Sequence, residues 1–259
     1  PIIRKIVSFK HVVFACILSA LQFSVFAQED QALKNDTVKY KPVAYPNSFR
    51  ANLDEIYTTI NDWKGRMDIY FQPNENKPTP LVINIHGGGW KNGVKESQGG
   101  FTPFFKAGMS IANVEYRMTP QAKAPAAVED LRCALIYLIQ NAKKFNIDVN
   151  RIVVMGGSAG GHLALMTGFD TNCPGVENIH VAAIIDKYGI TDVWDWAYGN
   201  HGPAIKKSSS PKDWLGDKKN DEVFARSVSP VNYLNKNIPP VLIIHGDADS
   251  TVPYLSLIH

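Results

Sequence analysis

The feature that most constrains this chain is a regular alternation of short apolar runs with longer amphipathic stretches. The runs are rich in valine and isoleucine, as are parallel strands that are buried on both faces. Parallel strands need crossover connections, which are usually helices. The alternation therefore predicts an α/β fold with a doubly wound, mostly parallel sheet and helices on both of its faces. The predicted strands are residues 67–71, 81–85, 111–114, 152–155, 181–185 and Val241–Ile244.

The clearest helical pattern lies at residues 124–145, where apolar side chains recur near one face. Residues 191–230 break the alternation and contain three tryptophans and a tyrosine, namely Trp194, Trp196, Tyr198 and Trp214. We interpret them as an insertion over the carboxyl ends of the strands, where ligands bind in such sheets. Trp194 and Trp196, together with Trp90, are candidates for a substrate pocket, because aromatic rings can stack on a sugar or an aromatic acyl group. Packing of the insertion against the sheet is the plainer alternative.

Composition and charge exclude several classes of protein. Hydrophobic residues make up 45% of the 259 residues and charged residues 20%, which is typical of a globular chain and not of a disordered one. The net charge of +3 comes from the first 27 residues, which carry three basic residues and no acidic one. The remainder has no basic excess, so nucleic acid is not an expected partner. We expect one α/β domain over residues 51–259, after a polar lead-in at 28–50.

Residues 1–27 have the layout of a secretory signal. A basic region ends at Lys10, an apolar run extends from Val12 to Phe26, and Ala27 supplies the small residue before a cleavage point. The run is shorter than the roughly 20 residues that a membrane-spanning helix needs, which makes an uncleaved anchor the weaker alternative. We therefore expect Gln28 to begin the mature chain, a periplasmic or secreted location, and no membrane association after cleavage.

The three cysteines do not indicate a disulfide framework. Cys16 leaves with the leader, Cys133 lies in a helical pattern, and Cys173 lies in a turn. Export would permit Cys133 and Cys173 to pair, and the sequence leaves that question open. His245 with Asp247 and Asp249 is too small a group to indicate a metal site. We expect no metal and no cofactor.

The motif Gly156-Gly157-Ser158-Ala159-Gly160 directly follows the predicted strand at 152–155 and precedes a helix-compatible stretch. In that context G-x-S-x-G predicts a sharp strand-to-helix turn that exposes the serine hydroxyl. Glycines permit the strained backbone and the close approach of neighbouring chain. The helix that follows would direct its free N–H groups and the positive end of its dipole toward developing negative charge. A flexible glycine-rich turn is the weaker interpretation.

A second glycine-rich segment, His86-Gly87-Gly88-Gly89-Trp90, follows the predicted strand at 81–85. Three consecutive glycines leave backbone N–H groups unobstructed, as an oxyanion-binding site requires. A phosphate-binding loop is the alternative, but the Lys-Ser/Thr pair and the G-x-G-x-x-G pattern are both missing from this segment. We expect His86 to brace the loop and not to act as a base.

After the last predicted strand comes His245-Gly246-Asp247-Ala248-Asp249. A carboxylate just past a strand end can orient a histidine and stabilise its imidazolium form. Both Asp247 and Asp249 are placed for that role, and the residues alone do not decide between them.

Four motifs, in order, resemble those of exported bacterial α/β-hydrolase esterases: HGGGW, YRMTP with PAAVEDLRCAL, GGSAGGHLA, and PPVLIIHGDADSTVP. The resemblance is to the feruloyl-esterase-like and acetylxylan-esterase-like branch, near the hormone-sensitive-lipase type, and extends from about residue 45 onward. It implies a serine carboxylester hydrolase that acts on small acyl esters, with a small-molecule or polysaccharide ester as substrate. By this resemblance Ser158 is the nucleophile, Asp249 is the acid, and the N–H groups of Gly88, Gly89 and Ala159 bind the oxyanion.

The chain departs from that family at its C-terminal end. The family order is serine, acid, histidine, with the histidine some tens of residues after the acid. His259 is the only histidine after Asp249 in this sequence, and it lies in a stretch expected to be helical. His162 is expected to pack within its own helix. We therefore expect the histidine, the last strand and the last helix to lie beyond residue 259, and the chain to be inactive without them. The alternatives are a prolyl-oligopeptidase-like serine peptidase and a non-catalytic binding protein on a hydrolase scaffold.

Overall fold

The computed structural model describes residues 40–73, 77–170, 179–199 and 209–252. Within these residues one sheet has the strand order β1-β2-β4-β3-β5-β6-β7. The strands are β1 (Arg50–Ile60), β2 (Trp63–Phe71), β3 (Thr79–Ile85), β4 (Ser110–Val114), β5 (Ile147–Gly157), β6 (Ala183–Lys187) and β7 (Val241–Ile244). The helices are α1 (Thr102–Lys106), α2 (Ala126–Gln140), α3 (Ala159–Phe169), α4 (Val193–Tyr198), α5 (Ser210–Leu215) and α6 (Glu222–Ser227), with short 3₁₀ turns at Lys95–Ser97, Gly216–Lys218 and Pro230–Tyr233.

The sheet is mostly parallel, which confirms the predicted fold class. Strands β4, β3, β5, β6 and β7 pair in parallel, whereas β1 and β2 are antiparallel to their neighbours. A core of apolar side chains fills each face of the sheet. Adjacent residues of β3 show the division, since Ile83 belongs to the larger core and Val82 to the smaller. Alternate residues of a strand point to opposite faces, so a wholly apolar strand supplies both cores.

The first strand was not predicted. Residues 50–60 carry charged side chains, and most of β1 is exposed or half-buried. Among the described strands it pairs only with β2, at one edge of the sheet, with register shifts between Asn52 and Glu55 and between Ile56 and Thr58. Placing the first strand at residue 67 was therefore wrong, because an edge strand with little buried surface lacks the apolar run by which its neighbours were identified.

A buried charge cluster ties β1 and β2 to the loop after β3. The side chain of Lys95 is only 3% exposed, and its Nζ lies 3.0 Å from an oxygen of Asp54, 2.9 Å from one of Asp68 and 2.5 Å from one of Glu96. Each carboxylate compensates for removing the ammonium group from water, so the pKa of Lys95 is raised despite its burial. Polar groups thus fix a loop whose other end carries the glycine-rich segment at residues 86–90.

Because strands β3, β5, β6 and β7 are parallel, the segments that follow them lie along the same edge of the sheet. That edge receives the glycine-rich loop, the turn at Ser158, the turn at Tyr188, and the acidic segment after residue 244. The strand β7 ends the strand order, and its apolar side chains Leu242, Ile243 and Ile244 are 39 to 48% exposed.

Several sequence-based expectations concern residues outside the described ranges. They are the leader at 1–27, the lead-in up to residue 39, Cys173, and His259. Cys133 is half-buried and has a free thiol. Among the described residues, no helix combines the length and the apolar character needed to cross a bilayer.

Strand β6 carries a buried carboxyl group that has no cationic partner among the described side chains. Asp186 has no exposed surface; its Oδ1 accepts a hydrogen bond from the Gly189 N–H at 2.9 Å, and its Oδ2 has no partner among the described residues. The carboxyl group lies against the first turn of α3, since a Cβ atom added at Gly161 would be 2.4 Å from Oδ1. Burial raises the pKa of Asp186 from 3.8 to about 6.

This raised pKa predicts a pH-dependent effect of Asp186→Asn on stability. The folded chain holds the proton more tightly than the unfolded chain, so the contribution of Asp186 to stability is complete below pH 4 and is lost as the pH rises through about 6. The variant should therefore be more stable relative to the parent at pH 8 than at pH 4, by up to about 3 kcal/mol. Calorimetric unfolding at the two pH values measures this difference.

The exposed Asp217 provides a matched control. Asp217→Asn should shift the unfolding temperature by similar small amounts at both pH values. An Asp186→Asn effect that is equal at pH 4 and pH 8 would contradict the assignment of a proton to the buried carboxyl group.

Candidate active site

Ser158 occupies a strained turn between β5 and α3. Its backbone angles are φ 56° and ψ −124°, a region that residues with a side chain rarely adopt. The Ser158 N–H donates to the carbonyl of Lys187 at 2.9 Å, which fixes the turn to the end of β6. The side chain is half-buried and stands before the first residue of α3. This is the geometry expected of the G-x-S-x-G turn, which presents a serine hydroxyl at the carboxyl edge of the sheet.

The turn depends on glycines that admit backbone at close range. A Cβ atom added at Gly156 would lie 2.2 Å from the carbonyl oxygen of Gly160. One added at Gly160 would lie 2.3 Å from the carbonyl oxygen of Ile85 and 2.6 Å from that of His86. These atoms are backbone and cannot move aside, so any side chain at either position would open the turn. The same contacts press the start of α3 against the end of β3.

The glycine-rich loop after β3 folds back beside Ser158. Gly88 has φ 112° and Gly89 has φ 61°, both in the region that favours glycine. The N–H groups of Lys91 and Asn92 donate to the Gly88 carbonyl at 3.1 and 3.0 Å and close the turn. A Cβ atom added at Gly87 would be 3.4 Å from the Cβ of Ser158, so the loop lies against the serine.

The three N–H groups that the family resemblance assigns to oxyanion binding are free to donate a hydrogen bond to a substrate. Those of Gly88, Gly89 and Ala159 have no hydrogen-bond acceptor within the part of the chain that the structure describes. Ala159 begins α3, where the first N–H groups of a helix have no partner inside the helix. The arrangement can therefore offer donors to an anionic oxygen formed near Ser158.

His86 braces the loop, as expected. Its ring is fully buried and stacks on Tyr116 with the ring centres 4.3 Å apart and the planes at 15°. Its Nδ1–H donates to the Gly87 carbonyl at 2.8 Å. Burial lowers the pKa of His86, which keeps the ring neutral.

Two of the three aromatic pocket candidates are structural instead. Trp90 has no exposed surface and stacks on Trp214 of α5, with ring centres 4.5 Å apart and planes at 11°. Its Nε1–H donates to Nδ1 of His162 at 3.2 Å. Trp196 is only 5% exposed and meets Trp90 edge to face at 5.9 Å. The expectation that Trp90 and Trp196 line a substrate pocket is wrong, because their rings bury one another and fasten the insertion to the glycine-rich loop.

Trp194 has a different setting. It is half-buried and packs against Tyr198, with the ring centres 4.5 Å apart. The Nζ of Lys212 lies 4.1 Å from the centre of the Tyr198 ring, so a cation of α5 covers the outer side of this pair. A substrate contact by Trp194 stays a prediction.

The segment after β7 is organised around Asp249. Oδ1 of Asp249 accepts hydrogen bonds from the N–H groups of Thr251 and Val252 at 2.8 and 3.0 Å. His245 closes the same loop by donating from Nε2 to the Val252 carbonyl at 2.6 Å, and Oδ2 of Asp249 lies 3.6 Å from that nitrogen. Asp247 is exposed. The loop thus holds Asp249 in a fixed orientation, with Oδ2 the less engaged of its two oxygens.

His86, His162 and His245 each use one ring nitrogen to hold a backbone carbonyl. The Nε2–H of His162 donates to the Val228 carbonyl at 2.7 Å, and complete burial lowers the pKa of His162 to about 4. His86 and His245 hold their loops as described above. His180 is exposed and precedes β6, so it lies at the opposite edge of the sheet from Ser158. Of the four described histidines none is placed as a base for Ser158; His11, His201 and His259 lie outside the described ranges.

The structure adds one residue to this edge that the sequence analysis did not single out. Tyr188 follows β6, and its hydroxyl would lie 3.0 Å from a Cβ atom added at Gly157. The signal was present in Asp186-Lys187-Tyr188-Gly189, which places polar and aromatic residues immediately after an apolar run. As for a metal, the described residues contain no group of three or more potential ligands among His, Cys, Asp and Glu.

Known proteins share the motifs and the fold. Esterase LipC of Mycobacterium tuberculosis is 30% identical over 186 residues, which are 68% of this chain and 46% of LipC. The chain spans about half the length of the curated relatives it matches. A truncated form of a carbohydrate esterase from gut microbiota superimposes with a TM-score of 0.67 at 26% identity, and the match covers 81% of each chain.

A second solved structure is an acetyl ester-xyloside bifunctional hydrolase from Caldicellulosiruptor lactoaceticus. It superimposes with a TM-score of 0.63 at 27% identity, over 76% of this chain and 72% of the other. The family model described as BD-FAE matches residues 67–256, which include the glycine-rich loop, the turn at Ser158 and the loop at Asp249. With its parallel sheet and its strained serine turn, the chain belongs to the BD-FAE family of α/β-hydrolases.

Proposed function

We propose that this protein is a serine carboxylester hydrolase with Ser158 as its nucleophile. The observation that carries the proposal is the strained Ser158 turn, which directs a hydroxyl to the carboxyl edge of the sheet beside the N–H groups of Gly88, Gly89 and Ala159. A serine held there can attack an ester carbonyl while donors in fixed positions receive the negative charge on the carbonyl oxygen.

The chemistry proceeds in two halves. The Ser158 oxygen bonds to the carbonyl carbon and gives up its proton to a histidine; the carbonyl oxygen becomes an oxyanion held by the three N–H groups. The intermediate collapses, the histidine returns the proton to the departing alcohol, and the acyl group stays on Ser158. Water then attacks the acyl group by the same route and releases the acid. None of these reaction steps uses a cofactor.

Asp249 is the acid in this proposal. Its loop leaves Oδ2 as the oxygen that can accept from the N–H of a histidine ring, since Oδ1 already accepts two backbone hydrogen bonds. A carboxylate so held orients the ring and stabilises the imidazolium form. The histidine itself is not among those whose positions the structure describes.

The substrate class we propose is a small acyl ester of a carbohydrate, with an acetyl or feruloyl group as the acyl part. Support comes from the similar structures, which include a carbohydrate esterase and an acetyl ester-xyloside hydrolase. The sheet edge around Ser158 is open at Tyr188, which is 43% exposed, and a bulky hydroxylated alcohol can approach there.

The first test replaces the nucleophile in the full-length protein. Ser158→Ala should lower kcat/KM for an aryl acetate by several powers of ten, because members of a catalytic triad act as a unit. A fluorophosphonate probe should add its mass to the parent protein at Ser158 and leave the variant unlabelled. The exposed Ser227 is a matched control, and Ser227→Ala should retain activity and labelling. A Ser158→Ala protein with more than about a tenth of the parent activity would remove Ser158 from this role.

The second test compares two neighbouring aspartates. Asp249→Asn should lower kcat by about three to four powers of ten, because the amide no longer holds the histidine in the reactive orientation. Asp247→Asn should change kcat by less than about threefold, since this side chain is exposed. Steady-state kinetics on both variants decide the assignment, and the reverse ranking would transfer the role to Asp247.

The third test concerns location. We propose export of the protein, on the strength of the basic, apolar and small-residue layout of residues 1–27. N-terminal sequencing of the protein recovered from the periplasm or the medium of an expressing bacterium should begin at Gln28. Recovery of uncleaved chain in the cytoplasm or in the membrane fraction would contradict this location.

A further inference from the structure

We propose that Tyr188 is a substrate-contacting residue, which packs beside the leaving alcohol of the ester and donates a hydrogen bond to a hydroxylated, sugar-like group on it. The inference rests on the proposed function, because it names the side of Ser158 on which the alcohol lies. It goes further by giving a specificity role to a residue that neither the motifs nor the proposed catalytic steps include.

The backbone at Tyr188 is strained and held in place. Its φ is 47°, which is uncommon for a residue with a large side chain, and its N–H donates to the Ile244 carbonyl at 2.8 Å. The preceding carbonyl, that of Lys187, accepts the N–H of Ser158. Two hydrogen bonds therefore couple this strained residue to the serine turn on one side and to β7 on the other. Such strain persists only where the surroundings enforce it, and it clusters at functional sites.

The ring lies directly over the residue before the candidate nucleophile. A Cβ atom added at Gly157 would be 3.0 Å from the Tyr188 hydroxyl oxygen, 3.2 Å from Cζ and 3.3 Å from Cε2. Gly157 thus leaves space that the outer half of the phenol fills. The aromatic side chain forms the wall of the site on the β6 side, next to Ser158.

The hydroxyl group is free to bind a ligand. Tyr188 is 43% exposed, and its hydroxyl has no hydrogen-bond partner among the residues that the structure places. Several other tyrosines use theirs: the hydroxyl of Tyr57 donates to the Glu115 carbonyl, and that of Tyr116 to the His86 carbonyl. Burial and the negative charge of Asp249 raise the pKa of Tyr188, so the group remains a donor.

The position of Asp249 indicates which part of the substrate Tyr188 would meet. In the proposed mechanism the histidine that Asp249 orients returns its proton to the leaving alcohol. The alcohol therefore departs on the side of Ser158 that faces Asp249. Tyr188 lies on that side, because its N–H donates to the carbonyl of Ile244, the last residue of β7, and the segment that carries Asp249 begins there. The acyl group, by contrast, is held with its oxygen toward Gly88 and Gly89.

The chemistry of the exposed phenol selects the kind of alcohol. An aromatic face offers apolar contact, and the hydroxyl at its tip offers a donor, a combination that suits surfaces with both apolar and polar parts. A sugar ring presents C–H groups beside hydroxyl and ether oxygens. A plain aryl alcohol can use the face of the ring but gives the donor no acceptor of comparable quality.

The experiment measures selectivity in the full-length protein. Two esters share the acetyl group: 4-nitrophenyl acetate and a mono-acetylated methyl xyloside. Tyr188→Phe removes the donor and keeps the ring, so the ratio of kcat/KM for the xyloside ester to kcat/KM for the aryl ester should fall by about three- to tenfold, as expected for one lost hydrogen bond. Tyr188→Leu, which also removes the aromatic face, should lower kcat/KM for both esters and leave the ratio below that of the parent.

Tyr45→Phe is the matched control. Tyr45 is 42% exposed and packs against Tyr70 of β2, which two other strands separate from β5 and the serine turn. Its substitution should leave the ratio within twofold. An unchanged ratio in both Tyr188 variants, with near-UV circular dichroism like that of the parent, overturns the inference. So does a parent protein whose Ser158-dependent activity is limited to the aryl ester; in both cases the esterase proposal stands. Absence of any Ser158-dependent hydrolysis overturns both.

Discussion

The geometry of this site depends on close contact between backbone and backbone at the Ser158 turn. Gly156 and Gly160 bring the end of β5, the start of α3 and the end of β3 to distances that exclude a Cβ atom. Nothing flexible lies at these contacts, so the positions of the serine and of the glycine-rich loop are set together. The strain at Ser158 is maintained by this packing and by the hydrogen bond from its N–H to Lys187.

The parallel sheet accounts for how residues from distant parts of the chain share one edge. Strands β3, β5, β6 and β7 run in the same direction, so each delivers its following residues to that edge: the glycine-rich loop, Ser158, Tyr188 and Asp249. Polar interactions then fix each segment. Lys95 anchors the loop after β3, and His245 closes the loop that holds Asp249. The helices and the two cores make the sheet rigid, and local hydrogen bonds orient the segments at its edge.

The sequence predicted the sheet and the serine turn because both rest on local, repeated signals. Apolar runs identified six of the strands, and the glycines around Ser158 identified the turn. It missed β1, whose charged residues face solvent at an edge, and it misassigned Trp90, whose burial depends on Trp214 more than a hundred residues away. The position of Tyr188 beside the serine turn could not be predicted either, since it follows from a contact with Gly157 and from a hydrogen bond to Ile244 of β7. Long-range contacts carry no periodicity that a single sequence displays.

The stacked pair of Trp90 and Trp214 has a consequence for how such a protein can be re-engineered. The pair joins the insertion to the glycine-rich loop through buried rings, with Trp196 against them. Exchanging the insertion for a foreign one would leave the indole of Trp90 without cover, so a graft succeeds only if it brings its own aromatic partner. The outer side of the insertion, where Trp194, Tyr198 and Lys212 contact one another, does not cover Trp90 and needs no such aromatic partner. Diversity libraries therefore belong on that outer layer, with the inner rings kept constant.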